Sequence, residues 1–256
     1  MANLEILGKQ MKQAILFLNF WFAYCTGYVE IRCVPCDMLK EKDAKLIAEG
    51  KKRKYYSQSF YPVIKDGEVQ ISPNLWDKLY TLNGMGYNIY FGVCPRYQFN
   101  RNKGGYPEAG TWEDVNQIPG LWGDLDRKDF EYGAIPETYK FLSPSVVNSS
   151  GNGTHLYLKY TDPILLPTPI GEHLPVNRMA EFLGGDKVGD TPRIMRLPGF
   201  DNMKDPCHPL PCETLELSRR TFSAEDMDHL WNRIDSGEFG EPVGLKGGKE
   251  KRNSTG

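Results

Sequence analysis

Apolar positions recur along the chain in two periods, and the switches between them predict helices and strands that alternate along most of its length. Residues 14–24 (AILFLNFWFAY) are almost continuously apolar and predict a buried first helix. In residues 28–34 (YVEIRCV), Val29, Ile31 and Cys33 alternate with Glu30 and Arg32, the pattern of a half-buried strand. Residues 72–82 place Leu75, Trp76, Leu79 and Leu82 on one helical face, Asn83-Gly84 stops that helix, and residues 88–93 (NIYFGV) follow as a buried strand. Further strands are expected over 121–125 and 154–160, and a helix over 176–183 ended by Gly184-Gly185. Ser223 caps a last helix with Asp226 at its third position, and Met227, Leu230, Trp231 and Ile234 form its apolar stripe. From Glu238 the chain turns polar and rich in Gly and Lys, which predicts one folded unit over 1–237 and a flexible linker or tail over 238–256.

Composition narrows the picture. With 40% hydrophobic and 25% charged residues, the 256-residue chain has the balance of one large or two small soluble domains. A net charge of −2 excludes a wholesale polycation, so any nucleic-acid surface must be a local patch. Six cysteines at irregular spacing suit reduced thiols in an intracellular, cytoplasmic protein, with no disulfide expected. Lys9 and Lys12 ahead of the apolar run imitate a signal peptide, but the run contains Asn19 and is far shorter than the roughly 20 residues of a membrane span, so no membrane partner is expected. The sequons at Asn148, Asn152 and Asn253 therefore read as chance matches.

Three stretches carry candidate chemistry. In residues 121–126 (LWGDLD), Asp124 and Asp126 stand two apart after an apolar run, so a strand would point both to one face. Carboxylates held that close repel unless a divalent cation such as Mg²⁺ or Mn²⁺ neutralises them; the plainer alternative is a solvated turn. In residues 147–160 (VNSSGNGTHLYLKY), a Ser/Gly/Asn loop containing Ser150 and Asn152 feeds a strand carrying His155. Such a loop lets backbone and imidazole approach a phosphate, and the alternative is a histidine bonded to a neighbouring carbonyl. In residues 184–204 (GGDKVGDTPRIMRLPGFDNMK), Asp190, Arg193 and Arg196 recur at three-residue intervals, offering a further metal ligand and two guanidinium groups for a triphosphate, or else a surface salt-bridge cluster. Cys33 and Cys36 with Cys207 and Cys212 could be assembled into a zinc site, but only the first pair has the usual spacing, and Cys33 is better placed in a core strand. The chain has no Gly-x-x-x-x-Gly-Lys phosphate loop.

The order of these parts, Asp-x-Asp after a strand, a glycine loop with histidine, then Gly-Gly-Asp, Asp-x-x-Arg-x-x-Arg-Leu-Pro-Gly and Asn-x-Lys, resembles the archaeo-eukaryotic primase superfamily. The primase-polymerases of phages, plasmids and other mobile elements are the most similar members, and the resemblance covers about residues 28–215. It implies that Asp124 and Asp126 bind the catalytic metals and that His155 contacts the incoming nucleotide. It also implies a third acidic ligand, expected at Asp190 with Asp186 as the alternative, since both follow glycine where the family has a hydrophobic residue. Gly153 stands where the family has a small residue, typically serine.

The implied fold is α+β, an N-terminal αβ module packed on a sheet domain of the RNA-recognition-motif type with the active site in the cleft between them. The implied activity is template-directed nucleotidyl transfer by a two-metal mechanism, as a DNA primase, a DNA polymerase or both, in the host cell of a phage or mobile element. His155, Arg193, Arg196, Ser150 and Asn152 are expected to hold the NTP or dNTP. Lys51, Lys52, Arg53, Lys54, Arg96 and Arg101 are candidates for contact with a single-stranded DNA template and primer, and a helicase module is a candidate partner. A metal-dependent nuclease and a catalytically silent DNA-binding replication module are the competing classes.

Overall fold

The computed structural model describes residues 2–125 and 141–239. Asp126 and residues 240–256 lie outside the described residues. No described helix is long and apolar enough to cross a membrane.

Two four-stranded antiparallel sheets organise the described chain. The first has the order β10-β6-β2-β3, from β10 (Ile194–Arg196), β6 (Tyr87–Gly92), β2 (Ile31–Pro35) and β3 (Gln58–Phe60). The second has the order β13-β8-β9-β7, from β13 (Glu213–Leu217), β8 (Val146–Ser149), β9 (Thr154–Leu165) and β7 (Gln117–Leu125). A small sheet joins β1 (Gly27–Tyr28) to β4 (Val63–Lys65) and β5 (Glu68–Gln70), and β11 (Asp201–Asn202) pairs with β12 (Leu210–Pro211). The single strand expected over 28–34 is thus two: β1 pairs with β4 while β2 pairs with β6 and β3.

The apolar first run lies in helix α1 (Ala2–Trp21) up to Trp21, and its last three residues form the turn that follows; α1 joins the two large sheets. Phe17 is fully buried and meets Phe91 of β6 edge-on at 5.0 Å and Tyr157 of β9 at 5.1 Å. Trp21 donates its indole N–H to the Val93 carbonyl at 2.8 Å, so its one polar atom is satisfied within the core. Helices α2 (Asp37–Ala48) and α3 (Pro73–Gly84) pack on the first sheet. α3 starts at Ser72, whose side chain accepts from the Leu75 N–H and caps the helix. Helix α4 (Leu174–Leu183) packs on β7 and ends at Gly184, which takes a left-handed φ of 65° as a C-terminal glycine commonly does. Helix α5 (Ala224–Asp235) has the expected reciprocal cap, Ser223 Oγ accepting from Asp226 N and Asp226 Oδ2 from Ser223 N. Glu238 and Phe239, placed by composition in the tail, are docked: Glu238 pairs with Arg233, and the Phe239 ring stacks on Phe141 at 3.7 Å.

Candidate active site

Cross-strand register sets one row of polar side chains across the second sheet. His155 on β9 stands opposite Asp124 on β7 and opposite Asn148 on β8. Beyond β7, Asp186 forms an antiparallel bridge with Asp124 and donates its backbone N–H to the Asp124 carbonyl at 3.0 Å. Directly opposed residues of an antiparallel pair share a face, with Cβ atoms about 5 Å apart. The order Asp186, Asp124, His155, Asn148 is therefore a single line. Gly185 makes the approach of Asp186 feasible, because a Cβ there would lie 2.5 Å from the Asp124 carbonyl oxygen. This close approach accounts for a glycine where the resemblance leads one to expect a hydrophobic residue.

His155 is buried and its Nε2 lies 3.6 Å from Asp124 Oδ1. Its Nδ1 faces the Tyr157 hydroxyl at 3.5 Å. Burial raises the Tyr157 phenol well above its ordinary range, so that hydroxyl stays protonated. A protonated phenol beside Nδ1 favours the tautomer with its proton on Nε2, toward Asp124.

Asp124 also opens onto a cavity of about 300 Å³ between the two large sheets. The second sheet and its hairpin loop contribute Asp124, Ser150 and Asn152; the first contributes Val34, Asn88, Tyr90 and Arg196. Lys40 from the first turns of α2 and Lys204 complete its cationic lining. Asn202 ties two of these parts together: its Nδ2 donates to the Ser150 carbonyl at 2.8 Å and its Oδ1 accepts from Lys204 N at 3.0 Å. The Arg196 guanidinium lies over the Tyr90 ring, 5.5 Å from its centroid. Two acidic groups, Asp124 and Asp37, and three cationic side chains thus share a polar cavity; Lys40 pairs with Asp37 at 2.8 Å, which leaves Arg196 and Lys204 to offset Asp124 or a polyanion bound through a cation.

The described donors fit a hard divalent ion. Asp124 and Asp186 bring two carboxylates to opposed backbone positions, and Mg²⁺ is commonly held by one or two carboxylates together with waters and substrate phosphates. Among the described residues no group of three or more His, Cys, Asp or Glu lies close enough to hold a metal, so the described set is these two carboxylates.

Several expected residues stand elsewhere. Asp190 is engaged by Arg193, whose Nε donates to Asp190 Oδ1 at 2.7 Å, and its backbone bridges to Glu172 rather than Asp124. Arg193 and Arg196 part company: Arg193, just before β10, turns to Asp190, and of the two only Arg196 lines the cavity. Arg96 is no template contact. It is fully buried, pairs with the equally buried Glu30 at 3.0 Å, and donates to the carbonyls of Cys94 and Pro192. In the basic run, Lys51 pairs with Glu49 and Arg53 with Asp43, whereas Lys52 and Lys54 are exposed. Arg101 is exposed, its guanidinium over the Phe99 ring and donating to the Gly105 carbonyl. Cys33 and Cys36 are core residues, and burial pushes the Cys33 thiol up to about 12.

Lys40, Asn88, Tyr90 and Lys204 were not singled out for the site by sequence. Lys204 had a signal, since it closes the Asn-x-Lys element; Lys40 and Tyr90 read locally as a helix surface residue and a strand residue.

No family model matches the chain and no curated protein sequence matches it. Among solved structures, a primase, RepB′, aligns with a TM-score of 0.48 at 14% identity over 92% of this chain and 64% of that one. The archaeo-eukaryotic primase domain of the primase-polymerase from cyanophage S-2L aligns with a TM-score of 0.56 at 12% identity, over 86% of this chain and 96% of that domain. The chain has an archaeo-eukaryotic-primase-like α+β fold.

Proposed function

We propose that the chain is a template-directed nucleotidyltransferase, a DNA primase, a DNA polymerase or both, with its reaction centre at Asp124 and the cavity beside it. The observation that carries this reading is the meeting of Asp124, backed by Asp186 and His155, with Arg196, Lys204 and Lys40 around one cavity.

Asp124 and Asp186, with Asp126 as the further ligand the sequence offers, would hold Mg²⁺ or Mn²⁺. Such an ion supplies positive charge that acidifies a primer 3′-hydroxyl and offsets charge on the departing pyrophosphate. The chain's own residues do the binding and orientation. Arg196, Lys204 and Lys40 take the triphosphate as charge-assisted donors, Arg196 through its planar fork and the lysines as point charges. The Ser150 and Asn152 loop, anchored by Asn202, presents further polar groups to the phosphates. His155, buried with its Nε2 3.6 Å from Asp124 Oδ1, gives that carboxylate a polar neighbour. Asp186 replaces Asp190 as the third acidic residue in this reading, because it is the one opposed to Asp124. Arg196 and Lys204, with Lys40 paired to Asp37 beside them, favour transfer from a triphosphate over hydrolysis of a nucleic-acid chain.

The test is extension of a labelled primer on a single-stranded template with Mn²⁺ or Mg²⁺ and nucleotides, comparing wild type with Asp124→Asn. Extension by the wild type and its loss in the variant, with the thermal midpoint retained, is the expected result. Cleavage of the labelled strand without extension would replace this reading with a nuclease.

A further inference from the structure

We propose that a second cavity, at the far edge of the first sheet, binds an unpaired stretch of single-stranded nucleic acid and that a cross-strand row of side chains links it to the reaction centre. Its assignment as the path of the template rests on the nucleotidyl-transfer reading above; binding of a single strand there does not.

The second cavity has a volume of about 520 Å³ and is larger than the first. It lies between the edge strand β3 and the loop over residues 97–110, and its lining combines the rings of Tyr56, Phe60 and Tyr106 with the ammonium groups of Lys54 and Lys78. Tyr56 is 51% and Tyr106 72% exposed, large rings left open to solvent beside cationic side chains. Lys78 Nζ sits 4.7 Å above the Phe60 ring, and the Arg53 guanidinium lies 5.2 Å from the Tyr56 centroid. The loop is held in shape. Asn102 Oδ1 accepts from the N–H groups of Gly104 and Tyr106, and the Tyr61 hydroxyl donates to the Glu108 carbonyl at 2.6 Å.

Open aromatic rings interleaved with ammonium groups match one ligand chemistry well. Unpaired bases stack on aromatic faces whatever their identity, while lysines follow the phosphates. A duplex hides its base faces and offers only the second contact. An acidic peptide would satisfy the lysines and leave the exposed rings unused.

The register of the first sheet links the two cavities. Arg196 on β10 stands opposite Tyr90 on β6, Tyr90 opposite Arg32 on β2, and Arg32 opposite Ser59 on β3. Arg196 and Tyr90 line the reaction-centre cavity, and Ser59 lines the second one. Four side chains therefore form a row on one face across three strand spacings, about 14 Å. Arg32 in the middle is partly exposed and is held by Glu30 at 2.6 Å, which keeps its guanidinium over the sheet.

Fluorescence anisotropy of a labelled oligothymidylate tests the inference on the full chain, with the wild type compared with Tyr56→Ala/Tyr106→Ala and Lys54→Ala/Lys78→Ala. All four residues are exposed and outside the reaction centre. The tyrosine variant should lose about tenfold or more in affinity with its salt dependence unchanged. The lysine variant should lose affinity and lower the slope of log affinity against log salt by about 1.4, two phosphate contacts on a single strand. Both should keep the wild-type rise in thermal midpoint with nucleotide and Mn²⁺. Affinity equal to wild type in both variants, or equally tight binding of a duplex, would overturn the proposal. If the wild type never extends a primer but the variants still lose oligothymidylate, the nucleotidyl-transfer reading fails and the single-strand site stands.

Discussion

The backbone N–H of Asp186 reaches the carbonyl of Asp124 at 3.0 Å, joining two residues 62 positions apart in an antiparallel bridge. That bridge sets which acidic residue stands beside the strand that also faces His155.

Asp186→Asn and Asp190→Asn separate the two candidates for the third acidic role. Primer extension should fall to background in Asp186→Asn and be largely retained in Asp190→Asn. The pair that Asp190 makes with Arg193 is partly exposed and contributes at most about 1 kcal/mol, so the second variant should keep its thermal midpoint. Loss of extension in Asp190→Asn with retention in Asp186→Asn would return the role to Asp190.

Gly185→Ala should impair the site without dismantling the fold. The added Cβ would meet the Asp124 carbonyl oxygen at 2.5 Å and Leu125 Cδ2 at 2.9 Å, so the bridge must open. A displacement of about 1 Å at a reacting group can cost about a hundredfold in rate, whereas local overpacking costs about 1–3 kcal/mol. Extension rate and chemical denaturation, measured together, check the two effects; an unchanged rate would show that the bridge is dispensable.

Arg96 supports stability rather than template binding. Glu30→Gln leaves its buried guanidinium without a counter-charge and should destabilise by about 3–5 kcal/mol in urea titrations. Replacing both residues by apolar ones, as in Glu30→Leu/Arg96→Met, should recover much of that loss, because the pair is then removed together. Gly92 and Gly110 leave the space for it: a Cβ at either would come within 2.9 Å of the guanidinium. A stable Glu30→Gln protein with weakened template affinity would contradict this role.

His173 should make the protein acid-sensitive. It is buried, its Nε2 faces the Tyr160 hydroxyl at 3.1 Å, and burial lowers its pKa from 6.5 to about 4. Above pH 6.5 folded and unfolded chains are both neutral at this residue. As pH falls from 6.5 toward 4, the unfolded chain binds a proton that the folded chain does not, so stability falls, by about 3 kcal/mol in all, and levels off below. His173→Gln should show a correspondingly smaller loss across that window in denaturant titrations at stepped pH. An identical pH dependence in both proteins would place the acid sensitivity elsewhere.

Sequence alone determined what is local in this protein. Alternation or helical spacing of apolar residues placed α1, α3, α4 and α5 and the cores of β6, β7 and β9, because burial of one face imposes its period on the chain. Caps at Ser223 and Gly184 were legible for the same reason, each lying within a few residues of the groups it satisfies. Asp124 and His155 could be named as candidates because each follows or enters an apolar strand. Only tertiary structure decided what those faces meet. The opposition of Asp124 to His155 and Asp186 is a matter of register between segments far apart in sequence, and a change of one residue in register would reverse every face. The burial of Arg96 depends on Glu30, 66 positions away, and Arg193 parts from Arg196 because it precedes β10 and is taken up by Asp190, while Arg196 at the end of the strand lines the cavity. Residues such as Tyr90, Lys40 and Lys204 become parts of a site only where two sheets and a helix end converge, and no local pattern in the chain records that convergence.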